Sequence, residues 1–293
     1  MMSGLSNGAK GILFIVLSGL LLTSQDGISK WLTQNLHPGE IMFFRGLFTF
    51  VPIFVIVALR PGGFGQLVSR NLRGTLTRAC LGAATSIFVV ISFMHLPLAD
   101  ALAIIFISPI LLTALSSPLL GEPVGWRRWL AVFVGFSGLL LMVRPTGDGV
   151  PVYYLIPLFT ALLSALRDVA TRRLRNDDPA VSILFYSMAA GVVIGALSMP
   201  IMGVRLPTAP EWGLLAVAGV MNSLAHLLAI QALLIAQAGT LAPFRYLALV
   251  WAAIIGYFVW GDVPDIWKVS GATLVVGAGL FILYRELQLK RQR

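Results

Sequence analysis

The chain has 293 residues, 58% of them hydrophobic and 11% charged, with a formal net charge of +9 and a mean hydropathy of +0.89. A soluble domain carries about 25% charged residues, so apolar surface on this scale calls for lipid as the solvent. The basic residues sit in short clusters between apolar runs, which argues against nucleic acid as a partner, and the single cysteine, Cys80, excludes an internal disulfide.

Ten apolar runs follow in chain order, each near the length that crosses a bilayer: 11–33, 38–59, 74–95, 98–120, 126–144, 151–172, 179–201, 211–235, 240–260 and 266–284. They are continuous and not alternating, which selects helices over a barrel. The first run precedes a polar TSQDGISK stretch with no small-x-small cleavage site, and it reads as a span. The second starts at HPGE, with Pro38 in its first turn and Glu40 behind it; the seventh starts at NDDP, with Asp178 as N-cap and Pro179 in the first turn. Pro109 falls mid-way along the fourth run, where it removes a backbone donor and should kink the helix, freeing a carbonyl near Ile105.

The fourth and ninth runs end alike, at Gly121-Glu122 and Gly261-Asp262, 140 residues apart. The same offset aligns Arg128 with Lys268, Gly82 with Asn222, and Ser86 with His226; near the starts of the halves it drifts to 141 for Pro38 and Pro179 and 142 for Asp26 and Asp168. The expected fold is an all-α integral membrane protein with ten transmembrane helices in two five-helix repeats, 1–146 and 147–293. Five is odd, so the second repeat enters the membrane inverted, which gives the architecture of an alternating-access carrier. Leu249 is the counterpart of Pro109, so the two central helices are expected to differ.

Orientation follows from basic residues at the span ends. Lys10, Arg60, Arg70, Arg73, Arg127, Arg128, Arg172, Arg173, Arg175, Arg285, Lys290, Arg291 and Arg293 lie at one set of ends, and Lys30, Arg144, Arg205 and Lys268 at the other. The bias puts both termini in the cytoplasm.

Charges inside spans mark a transport path, because a charge at the bilayer centre costs about 2.5–3.5 kcal/mol on insertion scales and turns inward or pairs. Asp26 and Arg45 share a depth in the outer third and form a candidate ion pair, either a gate or a fixed hairpin clasp. In the inner third Asp168 has Arg78, Arg172 and Arg245 as possible partners; snorkelling to the headgroups is the plainer role for Arg78 and Arg172. Near the midplane, Ser86, Asn222 and His226 are the polar candidates, Asn222 and His226 sharing one helix face. His226 serves as a substrate or proton ligand or as a hydrogen-bonded packing residue. Spans four and nine add Phe106, Ser108, Pro109, Tyr246 and Trp251, expected to line the path, with Pro109 and Trp251 at its narrowest level.

The stretch LADALAIIFISPILLTALSSPLLGEPVGWRRWLAVFVGFSGLLLMVRP resembles the drug/metabolite transporter superfamily, specifically its EamA-type members, in the span-four proline, the Leu-Gly-Glu end and the Gly-rich fifth span. The second copy, AGTLAPFRYLALVWAAIIGYFVWGDVPDIWKVSGATLVVGAGLFILY, fits more loosely, with Asp262 in place of Glu. The resemblance covers essentially the whole chain. It implies ten helices in a 5+5 inverted repeat, a bacterial inner-membrane location, and transport of amino acids or similar small metabolites, often export.

The combined expectation is a secondary carrier of small organic metabolites, foremost an amino-acid exporter. The alternatives are an importer or exchanger of a nucleoside-like metabolite such as S-adenosylmethionine, and a drug exporter. No nucleophile with its base, phosphate loop or metal-spaced cluster is present, so no enzymatic activity, catalytic residue, metal or cofactor is expected. The expected partners are a small-molecule substrate and the bilayer; the oligomeric state is open, a monomer being sufficient.

Overall fold

The computed structural model describes residues 7–59, 63–120, 126–143, 152–173, 180–202, 204–235 and 244–291. Eleven labelled α-helices occupy them: α1 (Asn7–Leu32), α2 (Pro38–Leu59), α3 (Leu72–His95), α4 (Leu98–Ile105), α5 (Ser108–Leu120), α6 (Trp126–Val143), α7 (Leu155–Arg173), α8 (Ala180–Met202), α9 (Ala209–Ile235), α10 (Leu247–Trp260) and α11 (Ile266–Arg291). No strand occurs among the described residues. Seven segments are long and apolar enough to cross a membrane, and three shorter apolar helices accompany them. Large apolar side chains face outward, such as Phe133, Leu197 and Phe258 at 67%, 68% and 79% exposure. That is the surface a lipid solvent selects.

Local chemistry sets the helix ends. Pro38 starts α2, where no N–H is needed, and Glu40 Oε2 accepts from the His37 backbone N–H at 2.8 Å. Asn71 caps α3, its Oδ1 accepting from Gly74 N–H at 3.1 Å. α10 ends because Gly261 adopts φ 71°. Its N–H donates to Tyr257 O at 3.0 Å, and the Asp262 N–H donates to Gly256 O at 3.1 Å, the paired bonds that close a helix through a left-handed glycine. The Gly121-Glu122 end and the Asp178–Pro179 start lie outside the described residues.

Span four corrects two expectations. Pro109 does not kink a continuous helix: the span breaks at Phe106 and Ile107, and Pro109 sits in the first turn of α5. Proline has no N–H and disfavours α geometry in the residue before it, so a fresh helix start satisfies it better than a bend. Nor is span nine unbroken for want of a proline. Phe244 and Arg245 are helical, Tyr246 is a turn, and α10 begins at Leu247. Phe106 and Tyr246 occupy matched repeat positions, and their rings meet at 5.5 Å between centroids.

Helix packing follows a regular scheme. α1 packs on α9 and α3 on α7; α2 packs on α9 and α3 on α8; α1 packs on α10 and α7 on α4 and α5; α2 pairs with α8, and α6 with α11. Replacing every helix by its counterpart 140 to 142 residues away turns this scheme into itself. The α6–α11 contact is backbone-close: a Cβ on Gly138 would lie 2.7 Å from Gly271 O, so only glycine fits. The apolar core beside it gathers Ile104, Ile107, Ile110, Leu139, Val275 and Ile282.

Candidate functional site

The polar interior divides into an outer and an inner cluster, named here from the orientation that the basic residues give. In the outer cluster Arg45 of α2 is buried at 9% exposure and Ser29 and Gln25 of α1 at 0% and 4%. Arg45 Nη1 donates to Gln25 Oε1 at 2.5 Å and to Ser29 Oγ at 3.0 Å. Gln25 Nε2 in turn donates to Asp26 Oδ1. The expected direct pairing of Asp26 with Arg45 is therefore replaced by a bridge: the Gln25 amide accepts from the base and donates to the acid. An amide can do both at once, and a carboxylate, being an acceptor only, cannot.

The inner cluster lies about two turns of helix, about 9 Å, from the inner ends of α3 and α7. Arg78 of α3 donates through Nε to Thr171 Oγ1 at 3.1 Å and through Nη1 to Ser187 Oγ, so it ties α3 to both α7 and α8. Snorkelling, the plainer reading for Arg78, gives way to these bonds across the interior. Asp168 takes its described partner from its own neighbour: Arg167 Nη2 and Nε stand 3.1 and 3.2 Å from Asp168 Oδ1. Arg167 Nη2 also donates to Ser164 Oγ at 3.0 Å. Of the other expected partners, Arg245 is exposed, and the Arg172 side chain lies outside the described residues. Unlike the outer cluster, the inner one keeps open surface, with Arg167 and Asp168 side chains 31% and 40% exposed.

His226 lies between the clusters on α9 and is acted on electrostatically by Arg167, Arg78 and Arg45. Asn222, one turn away and 9% exposed, reaches Met188 Sδ at 3.7 Å. Ser86 is partly buried two turns along α3 from Arg78. Phe88 and Phe159 meet edge to face at 5.0 Å beside it, linking α3 to α7.

The span-four and span-nine candidates sit elsewhere. Phe106 packs on the apolar core under α6 and α11, and the Tyr246 hydroxyl lies against Gly279 of α11. A groove of about 480 Å³ between α4, α6, α10 and α11 has Tyr246 at one end and the Asp100–Lys268 pair at the other. Ser108 is 7% exposed at the start of α5, and Pro109 is partly buried beside it. The Trp251 indole N–H is buried and unpartnered; such a donor calls for water or a ligand acceptor. Phe106 and Tyr246 therefore pack apart from the bonded Arg78 and Arg167 groups.

Sequence reasoning passed over Gln25, Ser29, Ser164, Arg167, Thr171 and Ser187. Arg167 carried a usable signal: it is an in-span charge, and at offset 142 it is the counterpart of Gln25, as Asp168 is of Asp26.

On the outer face, several contacts join the first half to the second. Lys268 Nζ donates to Asp100 Oδ2 at 2.6 Å, and the Arg205 backbone N–H donates to Glu40 Oε1 at 2.6 Å. Arg205 Nη1 reaches Asn35 O at 3.1 Å while Nη2 pairs with Glu211 at 3.0 Å. Lys30 Nζ sits 5.1 Å from the Trp260 ring centre, and His95 stacks on Tyr153 at 4.4 Å.

The chain matches known transporters along its length. An uptake transporter for S-adenosylmethionine from Rickettsia prowazekii is 32% identical over 284 residues, covering 94% of this chain and 93% of that one. A pseudopaline exporter from Pseudomonas aeruginosa strain UCBPP-PA14 is 29% identical, covering 92% and 94%. A riboflavin transporter from Rhizobium johnstonii is 27% identical, covering 98% and 95%. A solved crystal structure shares the fold at TM-score 0.65 and 18% identity, over 95% of this chain and 99% of that one. The model of the EamA-like transporter family matches twice, at residues 9–144 and 152–284. The chain is a multi-pass integral membrane protein built from two copies of one repeat, and it belongs to the EamA-like transporter family, within the drug/metabolite transporters.

Proposed function

We propose that the chain is a secondary carrier that moves a small organic metabolite across a bacterial inner membrane by alternating access. Its two halves, 1–146 and 147–293, each supply five of ten spans, and the second is inverted with respect to the first. The observation that carries this reading is the exchange symmetry of the helix packing: a scheme that maps onto itself lets the halves trade conformations at little cost in energy. The basic span ends put both termini in the cytoplasm. The outer contacts between halves and the buried Arg45–Gln25–Ser29 bonds, set against the more open Arg167–Asp168 pair, favour an inward-facing arrangement. The path runs along Ser86, Asn222 and His226 between the clusters, with Asp26, Arg45, Arg78 and Asp168 as its charged levels. The Phe106–Tyr246 breaks and Trp251 flank it, and Arg245 stays at the inner surface.

Three substrate readings stand from the sequence: amino-acid export, uptake or exchange of an S-adenosylmethionine-like metabolite, and drug export. Likeness to the rickettsial uptake transporters favours the second. The test is flux into proteoliposomes made with the purified chain. Saturable uptake of labelled S-adenosylmethionine, accelerated by the same compound preloaded inside, is the expected result. Saturable exchange of amino acids alone would shift the substrate to the first reading. Non-saturating flux without trans-stimulation would contradict a carrier.

A further inference from the structure

Among the described residues, charge does not balance in the inner cluster. In the outer one, Arg45 and Asp26 offset each other through Gln25. In the inner one, Arg78 and Arg167 both act on a single carboxylate, Asp168. The described hydrogen-bond partners of Arg78 are the uncharged hydroxyls of Thr171 and Ser187. His226, the nearest titratable group on the facing helix α9, also lies in the field of both arginines. Among the described residues, two guanidinium groups thus share one acid inside a span, where charge without a partner is disfavoured.

We propose that Arg78 and Arg167 together bind the carboxylate of an α-amino-acid-type substrate, with Asp168 taking its ammonium group. This rests on the carrier reading above and names the chemistry of its site. Several observations fit this head group. Described bonds of Arg167 run through Nε and Nη2, and those of Arg78 through Nε and Nη1. One terminal nitrogen of each guanidinium is thus outside these bonds, so the two together offer a carboxylate a charged donor from each side. Arg167 is held in place by Ser164 and Asp168 and still keeps 31% of its side chain open. Asp168 Oδ1 receives Arg167, which leaves Oδ2 for a cationic donor. Gly82, with no side chain, lies under the Arg167 stem: a Cβ there would come 3.6 Å from Arg167 Cδ. The carboxylate faces the two guanidinium groups and the ammonium faces Asp168, so the zwitterionic head group meets both signs present in the cluster.

The test uses the full chain in proteoliposomes, with labelled S-adenosylmethionine and labelled methionine as probes. Decarboxylated S-adenosylmethionine and methioninol, which lack the carboxylate, serve as competitors. For the wild type, a decarboxylated competitor should need at least tenfold higher concentration than its parent to inhibit uptake. Arg167→Gln should raise KM for the parent at least tenfold and erase the difference between the two competitors. Arg167→Lys keeps the charge without the fork, and should weaken the parent while leaving its decarboxylated analogue unchanged. It also serves as the readout if Arg167→Gln does not fold, judged by gel filtration and thermal unfolding. Wild-type uptake that treats parent and analogue alike overturns the carboxylate site and leaves the carrier reading standing. Folded Arg167 variants that keep wild-type discrimination also overturn it. Failure of the wild type to move either probe overturns the carrier reading for this substrate class, and the site with it.

Discussion

The two ends of the interior make similar ligations with different residues. At the outer end an arginine from α2 bonds Ser29 of α1; at the inner end an arginine from α3 bonds Thr171 of α7, the position that matches Ser29 at offset 142. The acids Asp26 and Asp168 also match, but the residue before each has diverged, Gln25 in one half and Arg167 in the other. An amide makes the outer cluster electrically complete and lets it close. A second guanidinium leaves the inner cluster with two bases to one acid among the described residues, and partly open. Duplication supplied a frame with two equivalent levels, and the divergence of Gln25 from Arg167, with the arginine drawn from α2 at one level and α3 at the other, sets the two apart.

Variants that probe this contrast should differ in kind as well as size. The largest effect on stability belongs to the outer clasp. Arg45→Met leaves Asp26 and Gln25 without their cationic partner, and breaking a buried pair costs about 3–5 kcal/mol. Thermal unfolding of the detergent-solubilised protein should fall clearly; an unchanged transition would mean that the clasp contributes nothing to the fold. Next comes Gln25→Ala, which removes the bridge but leaves both charges, for a loss of about 1–3 kcal/mol from unsatisfied buried groups. A Gln25→Ala loss matching that of Arg45→Met would show that the amide, and not the charge, holds the site.

Asp168→Asn should act on transport rather than on stability. Its carboxylate is 40% exposed, so solvent screens the pair with Arg167 and the fold loses little. Flux should drop by about tenfold, equivalent to about 1.4 kcal/mol of lost substrate interaction. Full flux with a destabilised fold would reverse the assignment of the two clusters. Arg205→Ala gives the smallest change, about 1 kcal/mol or less, because the Arg205 side chain in its pair with Glu211 is 46% exposed. Equilibrium unfolding of that variant beside Arg45→Met would expose any error in this ranking.

Much of the fold was legible because lipid imposes a coarse rule. Apolar runs of span length, Pro38 and Glu40 at a helix start, and glycine at position 261 each have one dominant local reading, and the helices follow them. The break in span four was visible as Pro109, but its full extent was not, because whether a chain bends or restarts at proline depends on what packs around it. The break at Tyr246 has no proline after it to match Pro109; Pro243, three residues before, fits a helix start equally well. At the charged levels, depth along a span was readable and azimuth was not. Asp26 and Arg45 are joined through Gln25, a partner that only three-dimensional packing selects. Arg167 was set aside despite being an in-span charge, and the packing of Phe106 on the apolar core and of the Tyr246 hydroxyl against Gly279 depends on azimuth, which the sequence does not show.

The central claim is that the polar line of α3 and α9 forms a water path open on the inner side and sealed outside. Ser86→Cys in a Cys80→Ser background tests it directly, with a membrane-impermeant thiol reagent applied either to inside-out vesicles or to intact spheroplasts. Without substrate, labelling should be at least about tenfold faster from the inner side, the ratio that an equilibrium bias of about 1.4 kcal/mol produces. Labelling that proceeds only from the outer side, or from neither side while the protein still transports, would contradict the account.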